Sequence, residues 1–242
     1  MRRRIAVITD VHANLPALDA ALAAIRADGP DAIYHTGDAI GIGPFPAEVL
    51  DRLLHEPGLR SVMGNHDAWF AFGLPDPKPP GMGEGELAHQ RWTHAQLDPA
   101  LRSVVATWPW VIEEEVGGVP VAFLHYALDA TGRGFADPIP DADPAALDRL
   151  FALQPARLVF YGHLHYPTPI PLEVAGSARY ANPGALGCSP EPLARYALLD
   201  VDQEGSCQLA FRAVPYDPAP LFAAFREREV PERAFIKATF FG

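Results

Sequence analysis

Ile5-Ala6-Val7-Ile8-Thr9-Asp10-Val11-His12-Ala13-Asn14-Leu15-Pro16 is the stretch that decides the fold. The apolar, β-rich run from Ile5 to Thr9 reads as a short buried strand. Leu15-Pro16 then opens an amphipathic helix with Leu18, Leu22 and Ile25 as its apolar stripe, and Gly29-Pro30 stops it. Residues 31–36 form the next strand, ending at Gly37-Asp38. A strand, helix and strand of these lengths make a βαβ unit, so the two strands are expected to be parallel neighbours.

Working outward, a helix over 46–54 precedes a short strand over 60–63, which ends at Gly64-Asn65-His66-Asp67. The Gly- and Pro-rich stretch 69–85 reads as an irregular excursion, followed by helical segments near 87–96 and 99–107. Residues 111–116 and 119–124 look like a hairpin about Gly117-Gly118, with His125 at its exit. After a polar loop over 126–142, a helix near 144–153 leads to a strand over 157–161 that ends at Gly162-His163-Leu164-His165. Strands are expected over 168–174, 178–181, 196–201 and 207–214, then a helix over 218–228 and an apolar tail. Alternating β and α early, then consecutive strands, implies two sheets packed face to face with helices outside. The expected organisation is a single domain, 1–242, carrying a loop and helical cap excursion at about 69–110.

The 242 residues, 49% hydrophobic and 20% charged, are those of an ordinary globular chain. A formal charge of −11 argues against a broad electropositive surface for a nucleic-acid backbone, yet leaves room for a small nucleotide in a local positive site. Cys188 and Cys207 make no disulfide framework and lack metal-type spacing. The apolar run after Arg2-Arg3-Arg4 is too short for a signal peptide, and no stretch reaches transmembrane length. A cytoplasmic protein with no membrane association is therefore expected.

The informative pattern is the placement of polar residues. Asp10, Asp38, Asn65, His125 and His163 each fall just past the C-terminal end of an expected strand, the edge where open α/β sheets bind ligands. Acid, amide and imidazole groups converging there need compensation, and a bound cation is the simplest. Asp10 and His12, like His163 and His165, are two residues apart; in extended chain such pairs point to one side and reach one centre. Gly37, Gly64 and Gly162 precede three of these positions and let the backbone approach closely.

The pattern Asp10-x-His12, Gly37-Asp38, Gly64-Asn65-His66-Asp67, His125 and Gly162-His163-x-His165 resembles the calcineurin-like metallophosphoesterase superfamily, most of all its bacterial and archaeal phosphodiesterase-like branch. Gly41-x-Gly43-Pro44 and Asn182-Pro183-Gly184 extend the likeness over about residues 5 to 200. The resemblance implies a four-layer α/β/β/α sandwich of two mixed sheets, with a dinuclear site at the C-terminal edges of the strands. It assigns Asp10, His12 and His165 to one metal and Asn65, His125 and His163 to the other, with Asp38 bridging both. His66 would face the substrate phosphate and protonate the leaving oxygen, its ring oriented by Asp67 or Asp38. Asn14, His66 and Arg133 are the candidate substrate contacts. The two metals would share a hydroxide, generated by lowering the pKa of water towards about 7, that attacks phosphorus in line.

With two divalent ions, two carboxylates and the hydroxide, the site carries about +1, which suits a phosphodiester better than a monoester dianion. Protein Ser/Thr phosphatases of the superfamily carry a Gly-Asp-x-Val-Asp-Arg-Gly segment; here Gly37-Asp38-Ala39-Ile40-Gly41-Ile42-Gly43 lacks that Asp and Arg. A small or nucleotide-like phosphodiester is thus the expected substrate. The alternatives are a phosphomonoester or nucleotide-pyrophosphate hydrolase, or a non-catalytic scaffold of the same fold. The nitrogen and oxygen ligands favour Mn²⁺ and admit Fe, Zn²⁺, Co²⁺ or Ni²⁺. His35 is expected to pack or hydrogen-bond, His55, His89 and His94 to be surface or cap residues, and most of the four tryptophans to be core.

Overall fold

In the computed structural model, which describes residues 2–79, 81–167 and 179–242, the opening stretch becomes β1, Arg3–Ile8. Ile5 and Val7 point into one apolar cluster, Ala6 and Ile8 into another. That alternation is the period of a strand covered on both faces. Helix α1, Leu15–Asp28, starts where Asn14 Oδ1 accepts from Ala17 N at 3.1 Å and stops at Gly29 in the left-handed region. β2, Ala32–His35, runs parallel to β1; α2, Pro46–His55, then leads to β3, Leu59–Ser61, parallel to β2.

Two late strands complete this first sheet. β8, Leu193–Val201, lies antiparallel to β1, and β9, Cys207–Pro215, antiparallel to β8, so the order is β3-β2-β1-β8-β9. The second sheet is built on the expected hairpin, β4, Val111–Val116, with β5, Val119–Leu124. β6, Leu158–Phe160, and β7, Arg179–Ala181, follow in parallel, in the order β4-β5-β6-β7.

The two mixed sheets face each other across a core that includes Ile5, Val7, Tyr34, Phe123, Phe160 and Val201. Helices α1 and α2 pack on the outer face of the first sheet, and α6, Pro144–Leu150, sends Leu147 onto the outer face of the second. This is the expected four-layer sandwich. Phe123 sits at its centre, stacked on Tyr34 at 3.8 Å and on Phe160 at 5.6 Å between ring centroids. Phe123→Ala is expected to cost about 3–5 kcal/mol through lost burial and the cavity left behind, read by urea unfolding at fixed metal concentration.

The structure departs from expectation at short helices. The 69–85 stretch is not irregular from its start: α3, Asn65–Phe72, begins at a candidate ligand and buries Phe70, too brief a run for an apolar period to be visible. Helices α4, Glu84–Ala95, and α5, Leu101–Val105, lie where helices were expected. The apolar tail is a helix, α8, Arg233–Phe240; with α7, Ala219–Glu227, it forms a further core around Ile42, Ala185 and Cys188. The expected strand over 168–174, and residue 178 of the strand expected over 178–181, lie outside the described residues. Among the described residues, no helix is long and apolar enough to cross a membrane.

Candidate metal centre

Five loops deliver the expected residues to one edge of the sandwich. Asp10 and His12 follow β1, Asp38 follows β2, Asn65 opens α3 beyond β3, His125 follows β5, and His163 and His165 follow β6. Asp10, His12, Asp38, His163 and His165 all have positive φ, between 46° and 71°. Left-handed backbone at non-glycine residues costs about 1–3 kcal/mol each and persists where the surroundings impose it, commonly at functional sites. Two glycines make the closeness possible. A Cβ on Gly64 would collide with Asp38 N and Oδ1, and one on Gly162 with Thr9 Oγ1 and, at 2.6 Å, Asp10 Oδ2.

The side chains form two groups of four donor atoms. In the first, His12 Nε2 stands 2.9 Å from His165 Nε2, 3.6 Å from Asp10 Oδ1 and 3.7 Å from Asp38 Oδ2; His165 Nε2 is 3.6 Å from Asp10 Oδ1. In the second, His125 Nε2 stands 3.1 Å from Asn65 Oδ1, 3.2 Å from His163 Nδ1 and 3.4 Å from Asp38 Oδ2. Asp38 Oδ2 belongs to both. Donors bound to one ion at about 2.0–2.2 Å are spaced in this range. The tautomers agree: with a proton on Nδ1, His12 donates to Ile40 O at 3.3 Å and His125 to Thr36 O at 2.9 Å, so each turns an Nε2 lone pair inward. The donor sets therefore fit two divalent ions.

Electrostatics state the same demand. Burial raises the Asp10 and Asp38 carboxyls, yet the surrounding histidines outweigh it and hold both below the usual carboxylate range. Burial lowers His125, but Asp38 beside it outweighs that and lifts it to about 9. Burial takes His163 and His165 down to about 4. Two fully buried carboxylates thus draw positive charge into a region where protonating every imidazole is unfavourable, and cations resolve that conflict.

Residues 3–204 match the family model of the calcineurin-like phosphoesterase superfamily domain. The chain belongs to that superfamily. Its members use divalent metal ions. The chain is 29% identical over 181 residues to an uncharacterized protein of Methanocaldococcus jannaschii, covering 69% of this chain and 64% of that one. It thus spans less than two thirds of the length of that curated relative. A metallophosphoesterase from Sphaerobacter thermophilus superposes with a TM-score of 0.71 at 29% identity, over 97% of each chain. A hypothetical protein from Pyrococcus horikoshii shares the fold, with a TM-score of 0.80 at 20% identity over 99% of this chain and 98% of that one.

Within this phosphoesterase domain two expected residues do other work. Asp67 does not touch the His66 ring: its carboxylate accepts from Asp38 N at 2.7 Å, Ala39 N at 3.1 Å and Gly64 N at 3.1 Å, so it holds the Asp38 loop. Burial, then Asp38, push Asp67 up to about 7. Asn14 is spent inside the fold, donating to Gly187 O and Tyr216 Oη and capping α1, which leaves no amide hydrogen for substrate. Burial carries His66 down to about 3, so its ring is neutral at pH 7.

Sequence reasoning missed one residue beside the first donor group. Cys188 is buried, with Sγ within 4.8 Å of one ring nitrogen of His12 and one of His165. No short-range spacing signals it, because it arrives on the loop before β8. His66 also lies within that distance of His12 and Asp38 donor atoms, a third arrangement able to hold an ion. His89 is buried and stacked near Trp92, rather than at the surface. His35 packs as expected, buried against Ser61 and Trp108. Trp69 and Trp110 line a cavity of about 810 Å³ that opens onto Asp38, Asn65 and His66, with Arg133 on its wall.

Proposed function

We propose that the chain is a dinuclear metal-dependent phosphodiesterase acting on small, nucleotide-like diesters. The observation that carries this reading is the pair of four-atom donor groups sharing Asp38 Oδ2 at the floor of an aromatic-lined cavity. In this reading Asp10, His12 and His165 hold one ion, Asn65, His125 and His163 the other, and Asp38 both. Mixed imidazole, carboxylate and amide donors favour Mn²⁺. When bound, such a pair of ions lowers the pKa of water and polarises the phosphoryl oxygens.

The chain's own groups do the rest. With two divalent ions and a hydroxide bound, Asp10 and Asp38 would leave a net charge of about +1, which matches a diester monoanion. Arg133 is the one Lys or Arg lining the cavity among the described residues, and Glu86, Asp129 and Asp137 line it too, so the wall adds no net positive charge for the second charge of a monoester dianion. Trp69, Phe72, Trp110 and Phe135 offer flat apolar faces on which a base can stack. His66 lines the cavity with Nε2 3.9 Å from Asp38 Oδ2, on the side of the donor groups, where it donates to the leaving oxygen.

The test compares turnover on an aryl phosphodiester and the matching aryl phosphomonoester with added Mn²⁺. Faster hydrolysis of the diester is expected. Monoester preference would move the assignment to a phosphomonoester or nucleotide-pyrophosphate hydrolase.

A further inference from the structure

We propose that Gln90, on α4, positions His66 by donating a hydrogen bond to its Nδ1, which fixes the proton on Nε2 and aims that N–H at the leaving oxygen; this rests on the phosphoester-hydrolase reading above. Gln90 is 1% exposed, and its Nε2 stands 2.9 Å from His66 Nδ1. Its Oε1 is buried with no partner among the described residues. An unpartnered buried carbonyl costs free energy, so the amide is in this place for what its other end does.

The groups nearer in sequence are committed elsewhere. The Asp67 carboxylate takes three backbone N–H groups, and Asp38 Oδ1 takes His66 N at 3.0 Å while Oδ2 lies on the Nε2 side of the ring. Beneath Nδ1 runs Gly41, where a Cβ would collide with the ring. Gly41 therefore offers Nδ1 no side chain, and its partner comes from the excursion 24 residues on. His12, edge-on at 5.2 Å, and Trp69, tilted at 5.0 Å, confine the ring between them.

An amide N–H can be accepted only by an unprotonated nitrogen. Donation from Gln90 thus puts a lone pair on Nδ1 and the hydrogen on Nε2, the atom on the side of Asp38 Oδ2. The result is a neutral donor with a fixed direction, which strengthens its bond as negative charge grows on the departing oxygen. A carboxylate at position 90 would accept from Nδ1–H and turn an Nε2 lone pair towards that oxygen. Gln90→Glu keeps the size and reverses the hydrogen bond, which separates donation from packing.

Long-range ¹H–¹⁵N correlation spectra of the zinc-loaded protein read the tautomer directly, the His66 signals being assigned by their loss in His66→Gln. An unprotonated Nδ1 and a protonated Nε2 are expected, and the reverse in Gln90→Glu. A wild-type His66 protonated on Nδ1 overturns the proposal whether or not the protein turns over any ester. In kinetics, Gln90→Glu and Gln90→Ala are expected to lower kcat by about 10²-fold on a phenyl diester, whose leaving group needs the donor, and by less than about tenfold on a p-nitrophenyl diester. KM is expected to stay nearly constant. Equal losses on both esters would mean that Gln90 only packs, and would sink the proposal. Wild-type protein inert on both esters would instead overturn the hydrolase reading, and the spectra would still decide the role of Gln90.

Discussion

Asp38→Ala is expected to leave the purified protein with well below one metal ion per chain after dialysis, and with no measurable phosphodiesterase turnover. Asp38 Oδ2 is the one atom common to both donor groups, 3.7 Å from His12 Nε2 and 3.4 Å from His125 Nε2. Without it the first group keeps a single carboxylate, Asp10. The second keeps none, since Asn65, His125 and His163 bind as neutral ligands. Dehydrating a divalent cation is costly, and neutral donors with no carboxylate among them offset less of that cost. The second position should therefore empty first. Asp38→Asn, which preserves size, is the companion variant should Ala disturb the Asp67-held loop. Metal analysis finding two ions retained in Asp38→Asn would contradict the bridging role.

His66→Ala is expected to do the opposite, retaining both ions while kcat falls by about 10²–10⁴-fold. Neither four-atom group includes His66, whose Nε2 is 3.9 Å from Asp38 Oδ2. Its contribution is made to the leaving oxygen, and so belongs to the transition state more than to the bound substrate. KM should consequently change little. The loss should also be larger for phenyl than for p-nitrophenyl esters, matching the Gln90 variants, since both remove the same hydrogen bond. Metal analysis discriminates the arrangement of His12, Asp38 and His66 as a third ion site. If His66→Ala loses an ion, that arrangement is in use and the division of roles proposed here is wrong.

Much of this centre was legible because its parts are local. An apolar run of strand length followed at once by Asp10 or His125 is visible in a few residues of sequence. The hairpin of β4 and β5 falls within its expected bounds, because its turn and its two apolar runs are contiguous. The order of ligands along the chain and the glycines before Asp38, Asn65 and His163 belong to the same class of local signal. Short helices gave no such signal: α3 and α8 are eight residues each, barely two turns, and their helical state depends on cores they join only after the chain has folded.

What tertiary structure alone decided is how side chains were shared out. Asp67 could as well have reached the His66 ring as the Asp38 loop, and only the packing of α3 against the loop after β2 sends it to the backbone N–H groups. Gln90 and Cys188 join the site from 24 residues and 23 residues away from the nearest candidate ligand or ring in sequence, His66 and His165. Neither stands in any motif. By itself the sequence determined that seven metal-capable side chains follow five strand ends, because strand period and strand ends are properties of neighbouring residues. Which oxygen of Asp38 both groups share, and which residue turns His66, depend on distances between segments that meet only when the two sheets close on their common core.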